Sequence, residues 1–209
     1  MSERQRMVDE QLRGRDIRDA RVLAAFERVP RDEFVPAEHR AFAYGDLPLA
    51  IGFEQTVSQP YVVALMAQLL ELRGAERVLE VGAGSGYAAA IFACLAGEVH
   101  AIERIPELAR DAVERLARLG FANVHVHEGD GALGWAAAAP FDAIAVAAAA
   151  PRVPTPLFAQ LAIGGRLVAP IGAEHAQHLV LVTRRAADRY EERDLGPVRF
   201  VPLVTTQPC

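Results

Sequence analysis

Two short stretches hold most of the chemistry in this chain. One is Glu80-Val81-Gly82-Ala83-Gly84-Ser85-Gly86-Tyr87, three glycines at alternate positions behind a carboxylate. The other is Ile51-Gly52-Phe53-Glu54-Gln55-Thr56-Val57-Ser58-Gln59-Pro60, which sets the Ser58 hydroxyl just before a proline. Glycines between a strand and a helix let a ligand approach the N–H groups of the helix start. The dinucleotide fingerprint G-x-G-x-x-G would need its third glycine at position 87, where this chain has Tyr87. The Glu80 carboxylate, two residues before Gly82, repels a pyrophosphate and favours a cationic ligand.

S-adenosylmethionine carries a sulfonium and an ammonium and no phosphate. It therefore fits Gly82, Gly84 and Gly86 better than a nicotinamide dinucleotide does; a tight strand–helix turn without a ligand is the bland alternative. Glu103 lies 21 positions after Gly82, at the end of the next strand. A carboxylate there accepts hydrogen bonds from both ribose hydroxyls, unless it is an ordinary exposed acid. Asp130-Gly131 follows the third strand, where an acid meets the exocyclic amine of adenine; a plain Asp-Gly turn is the other reading.

Absences narrow the chemistry. All 22 basic residues are arginine. Without lysine there is no Schiff base, no pyridoxal phosphate anchor and no P-loop lysine. Cys94 and Cys209 are too few and too far apart for a disulfide framework or a zinc site. His125 and His127 alternate along one strand and share a face; without further ligands they read as a packed or solvated pair, and no metal is expected. The net charge of −5 suits phosphate backbones poorly, so no nucleic-acid partner is expected. The longest apolar runs, 88–96 and 143–151, fall far short of the roughly 18 residues of a membrane span. No apolar signal core follows Arg6, so a cytoplasmic location is expected.

The elements that position these residues follow from periodicity. Met7, Val8 and Leu12 share a helical face that Gly14 can end, and Asp19 is a good N-cap for a second helix carrying Val22, Leu23 and Phe26. Residues 44–60 read as a loop, and 60–72 as a third helix with proline in its first turn. From residue 74 the pattern becomes regular. Strands at 77–81, 99–102, 123–127, 141–147 and 166–170 alternate with helices at 87–95, 106–119 and 155–161, which predicts a mainly parallel sheet covered on both faces. Two further strand-like runs, 178–183 and 198–203, have no helix between them and should pair antiparallel. At 209 residues, against about 150 per domain, one domain is expected. Its parts are N-terminal helices and loop at 1–73, a cofactor-binding βα core at 74–172, and C-terminal strands at 173–209.

The loop and the glycine turn together resemble the protein-L-isoaspartate (D-aspartate) O-methyltransferase family, over nearly the whole chain. Asp32-Glu33-Phe34-Val35-Pro36 is similar to its N-terminal signature, and Thr56-Val57-Ser58-Gln59-Pro60 to its diagnostic active-site loop. Residues 141–151 and 164–172 resemble its fourth-strand and fifth-strand patterns, and Arg199-Phe200-Val201-Pro202-Leu203 its C-terminal strand. The family often has threonine before the Ala-Ala-Pro and after the Val-Pro-Leu, where this chain has alanine throughout 147–150 and Val204.

The resemblance implies a Rossmann-like, S-adenosylmethionine-dependent methyltransferase fold with a seven-stranded, mostly parallel sheet. It implies methyl transfer to the α-carboxylate exposed when an aspartyl residue isomerises, releasing S-adenosylhomocysteine. Ser58 then orients the incoming carboxylate, with an N-cap before Pro60 as its other reading. Thr56, Val57, Glu80, Gly82, Gly84, Gly86, Glu103, Asp130 and Gly131 are assigned to the cofactor, and Ile51, Gly52, Ala148 and Ala149 to an extended peptide substrate. Damaged proteins and peptides are the expected partners and a monomer the expected state. Methyl transfer to a different peptide or small-molecule carboxylate, and a non-catalytic binding module, are the alternatives.

Overall fold

The alternating β and α units of residues 74–172 do form a mixed sheet in the structure, a computed structural model describing residues 1–173 and 175–205. Cys209 and the last part of the expected C-terminal region lie outside the described residues. The sheet strands are β3 (Arg77–Val81), β4 (Glu98–Glu103), β5 (Val124–Glu128), β6 (Phe141–Val146), β7 (Leu161–Ala173), β8 (Ala176–Ala186) and β9 (Arg189–Val198). Their order is β5-β4-β3-β6-β7-β8-β9. β3 to β7 pair in parallel, and β8 and β9 antiparallel. Strand order reverses between β3 and β6, and at such a switch point the loops beyond the carboxyl ends part to leave a crevice. The glycine turn leaves β3 there, and the alanine run leaves β6.

One sheet face is buried by α3 (Pro60–Leu70), α4 (Tyr87–Ala93), α5 (Pro106–Arg118) and an N-terminal layer. That layer holds α1 (Glu3–Arg6), which widens into π-helical turns over Met7–Arg13, and α2 (Ala20–Arg28). The Asp19 side chain caps α2 by accepting from Arg21 N–H, as its position suggests. The opposite face is thinner. It packs Leu79, Val81, Ile144 and Leu167 under α6 (Thr155–Gln160) and the turns that carry Trp135.

Tyr87, the residue that breaks the dinucleotide fingerprint, seats the N-terminal layer. Its ring is fully buried, edge-on to Phe26 at 6.0 Å and to Phe34 at 5.5 Å. The buried Arg31 guanidinium lies over the same ring at 4.7 Å and donates from Nε to the Ala43 carbonyl at 2.8 Å. A glycine at 87 would leave those three side chains without their common partner.

Two expectations are corrected. The 44–60 loop contains a hairpin, β1 (Leu49–Gly52) against β2 (Gln55–Val57). Its turn uses Phe53 and Glu54 at φ 52° and 59°, left-handed values that usually mark Asn-Gly, so the turn signal was missing from the sequence. The run 198–203 is not a sheet strand. The partner of β8 is Arg189–Val198, strongly charged on its exposed edge, while 199–203 turns back over the sheet end. There Ala149 N–H donates to the Val201 carbonyl at 2.8 Å, and Leu203 N–H to the Ala149 carbonyl at 2.7 Å.

Candidate active site

A cavity of about 320 Å³ opens at the switch point, within the usual size range for small-molecule sites. Its floor is the glycine turn, where Gly82, Gly84 and Gly86 take φ of 90°, 52° and 85°. A side chain at 84 would press on Ile51 Cδ1 at 3.2 Å, and one at 86 on Leu116 Cδ1 at 3.1 Å. Gly82 and Gly84 line the cavity, whereas Gly86 lies behind it as the N-cap of α4. Glu103, 7% exposed, stands at the wall. One of its oxygens accepts Gly84 N–H at 2.8 Å and the other Ile105 N–H at 2.9 Å. Each oxygen keeps a lone pair, so the carboxylate is held by backbone and still free to accept from a ligand.

Glu80 is the unusual member. It is 1% exposed, and its Oε2 has no hydrogen-bond partner. Burial, and next the nearby Glu103, push its carboxyl well above the usual range. Its cross-strand neighbours are Ala101 and Ala145, too small to fill the space beside it. A buried acceptor without a partner at a cavity wall calls for a ligand that supplies a donor or a positive charge. These features fit a cofactor with an adenosyl ribose and a sulfonium.

The hairpin and α3 bring the reactive loop over this cavity. Thr56, Val57 and Ser58 line it. The N-cap reading of Ser58 does not hold: Gln59 occupies the cap position and no side chain there makes the capping bond. Asp46 does that work, accepting Tyr61 N–H at 3.0 Å and Gln59 Nε2 at 2.8 Å. Ser58 is thereby left half-buried between the first cavity and a second one of about 890 Å³. Both are lined by Thr56, Ser58, Ala147, Val201 and Pro202.

Other site expectations divide. Gly131 and Ala148 line the first cavity. Asp130 is not in that lining; its carboxylate, next to Gly131, accepts Ala132 N–H at 3.0 Å and the Thr205 hydroxyl at 2.9 Å. Ile51, Gly52 and Ala149 line neither cavity. Ile51 packs down on the glycine turn, Gly52 sits at the hairpin bend, and Ala149 is bonded to the 201–203 segment. Ala148 faces the first cavity rather than the second, so it is not in the larger groove. Sequence reasoning missed the hairpin tip, Phe53 to Gln55, the Arg104 side and the wall of 201–204. The carboxylate of Glu54 inside the reactive loop was the available signal. The histidine pair is in fact three: His100 Nδ1 and His127 Nε2 are 2.9 Å apart, and His125 flanks His100 with Glu98 beside both. Among the described residues no group of three His, Cys, Asp or Glu side chains is arranged to hold a metal ion, and no helix is long and apolar enough to cross a membrane.

The model of the protein-L-isoaspartate (D-aspartate) O-methyltransferase family matches residues 2–208. The chain belongs to this family. It is 57% identical over 202 residues to a protein-L-isoaspartate O-methyltransferase 2 of Anaeromyxobacter sp. (strain Fw109-5), across 97% of this chain and 83% of that one. It is 58% identical to a protein of the same name from Marinobacter nauticus, across 96% and 92%. A solved structure from Plasmodium falciparum, described as a β-aspartate methyltransferase in complex with S-adenosyl-L-homocysteine, superposes with TM-score 0.85 at 25% identity, over 98% of this chain and 99% of that one. Another solved protein-L-isoaspartate O-methyltransferase gives TM-score 0.87 at 29% identity, over 95% of this chain and 65% of that one. The fold is thus the Rossmann-like methyltransferase fold of this family, with the antiparallel β8 and β9 at its C-terminal side.

Proposed function

We infer that this chain transfers a methyl group from S-adenosylmethionine to the α-carboxylate of L-isoaspartyl residues in damaged proteins and peptides. The observation that carries this reading is Ser58, freed from capping by Asp46 and standing where two cavities meet. When bound, the cofactor supplies an electrophilic methyl group on a positively charged sulfur. Gly82, Gly84, Thr56 and Glu103 would hold it, with Glu80 answering its positive charge. The acceptor carboxylate is ionised at neutral pH, since its ordinary pKa is near ~4, so the site needs no strong base. What the chain contributes is placement and dryness. The Ser58 hydroxyl donates to the carboxylate and aims one oxygen at the first cavity, while Ala147 and the 201–202 wall close the junction against water.

In this reading the enzyme works as a monomer in the cytoplasm, without a metal, nucleic acid or membrane; the net charge of −5 supports the exclusion of nucleic acid. The test uses paired peptides that differ only in an isoaspartyl or aspartyl linkage. Methylation of the isoaspartyl member alone is expected. Equal methylation of both overturns the repair reading and points to a general carboxylate methyltransferase; no methylation of either, with intact cofactor binding, leaves a binding module.

A further inference from the structure

The two cavities that meet at Ser58 have opposite charge. The first is lined by Glu54, Glu80 and Glu103 against the single Arg104. Among the described residues, the second is lined by Arg15 and Arg199 and by no carboxylate. Acids outnumber bases in this chain, 27 to 22, so a large groove without one departs from the average surface.

The two arginines differ in what they are free to do. Arg15 is engaged: its guanidinium lies over the Tyr61 ring at 3.3 Å and pairs with Asp46 Oδ2 at 3.1 Å. Arg199 is exposed, and no described residue makes a hydrogen bond or ion pair with its side chain. Yet its backbone is fixed. The next residue, Phe200, is held on both sides by Gln177, which accepts Phe200 N–H at 2.7 Å and donates to the Phe200 carbonyl at 3.1 Å. Beyond it, the Val201 carbonyl accepts Ala149 N–H. A guanidinium with no partner among the described residues, on a segment tied by these bonds and at the rim of a groove that no described acid lines, is suited to a carboxylate brought by the ligand.

Building on the proposed function, we propose that the groove selects isoaspartyl substrates by charge, and that Arg199 is a specificity-determining residue. It receives a second carboxylate of the peptide, beyond the one to be methylated. That carboxylate comes from an Asp or Glu side chain flanking the isoaspartyl residue, or from the peptide's own C-terminus when the damaged residue lies near it. Segments rich in acidic side chains are therefore the preferred substrates, and segments flanked by lysine or arginine the poor ones.

The experiment measures kcat and KM for acetylated, amidated isoaspartyl peptides whose flanking residue is Glu, Gln or Lys, at low and moderate salt. A fourth peptide, Gln-flanked with a free C-terminus, separates the two carboxylate sources. The Glu peptide is expected to have kcat/KM about fivefold above the Lys peptide at low salt, the upper end for one exposed ion pair. The difference should reside in KM and shrink with salt. In Arg199→Gln the ratio should fall to about one, and in Arg199→Lys most of it should return. A wild-type ratio near one, or a ratio that survives Arg199→Gln, overturns the proposal. An advantage seen only for the free C-terminus keeps Arg199 as the receptor and overturns the flanking-residue preference. If no isoaspartyl peptide is methylated at all, the proposed function fails; if all are methylated irrespective of charge, only this inference does.

Discussion

Replacing Glu80 by glutamine keeps the shape of the side chain and removes its ionisation, which isolates what a buried, unpartnered carboxylate does in this fold. With its pKa raised by burial and by Glu103, Glu80 holds a proton in the folded chain at pH values where the unfolded chain has released it. The sign follows from linkage. Below the ordinary carboxylate range, near ~4.3, both states are protonated and the group costs nothing in charge burial. As pH rises above that range the unfolded state binds fewer protons, and stability falls by about 1.4 kcal/mol per pH unit until the folded carboxyl itself ionises. Glu80→Gln should lack this slope. Urea unfolding of both proteins at a series of pH values above the ordinary carboxylate range should show the variant gaining on the parent as pH rises, until the folded carboxyl ionises. Taking the difference cancels the histidines and other groups that titrate in the same range.

The same proton reports on the ligand. A sulfonium beside Glu80 favours the ionised carboxylate, so S-adenosylmethionine should displace a proton from the parent protein. S-adenosylhomocysteine, whose sulfur is neutral, should displace fewer. Calorimetry in two buffers of different ionisation heat, at a pH where the parent still shows the unfolding slope, measures the number, and Glu80→Gln should lower it. Parallel unfolding curves, or a binding heat that does not depend on buffer in the parent, would refute the reasoning about Glu80.

Three further outcomes are expected. Ser58→Ala should lower kcat by about 30- to 1,000-fold, the worth of a positioned donor in a dry site. Because Asp46 rather than Ser58 caps α3, unfolding free energy should stay within about 0.5 kcal/mol of the parent; a stability loss with unchanged kcat would return Ser58 to a structural role. Glu103→Ala should weaken S-adenosylmethionine binding by about 1.5–3 kcal/mol, measured by calorimetry; unchanged affinity removes Glu103 from the site. Trp135, the only tryptophan, stacks on His127 at 3.9 Å, and burial followed by His100 lowers the His127 pKa below 6.5. Protonated imidazole quenches indole, so fluorescence should fall on acidification with a midpoint below pH 6.5; a midpoint above it would contradict the downward shift of His127.

The βα core was legible because each signal there is local. Pro106 in the first turn of α5 and the glycines after β3 each act within a few residues, as does the capping Asp19 in the N-terminal layer. The resemblance likewise rested on contiguous motifs, and it led to the right family. What escaped depends on contacts between distant parts. The 49–57 hairpin turns on Phe53 and Glu54 in left-handed backbone, which no turn rule anticipates. Asp46 takes over capping from fifteen residues before Tyr61. The Thr205 hydroxyl reaches the Asp130 carboxylate only because the C-terminal segment returns over the sheet end, a contact no local pattern announces. The strand expected at 198–203 failed for the same reason. Its apolar pattern serves a cavity wall and the bonds to Ala149 rather than a seventh sheet position.

The N-terminal layer explains how a common cofactor fold becomes a particular enzyme. A βα core with a glycine turn can bind a cofactor but leaves the acceptor side of its crevice open. Here Phe26, Arg31 and Phe34 grip Tyr87, the first residue of α4, so the layer is packed directly against the end of the glycine turn. The same layer's last stretch carries Asp46, which organises the start of α3 and leaves Ser58 facing the junction. Cofactor floor and acceptor hydroxyl are thus both tied to the N-terminal segment by packing and hydrogen bonds. Truncating Phe34 to alanine would loosen the packing on Tyr87 without touching either ligand site. It should therefore cost the few kcal/mol of a buried aromatic in stability, and lower kcat in the folded remainder through misplacement of Ser58 rather than loss of any contact to substrate.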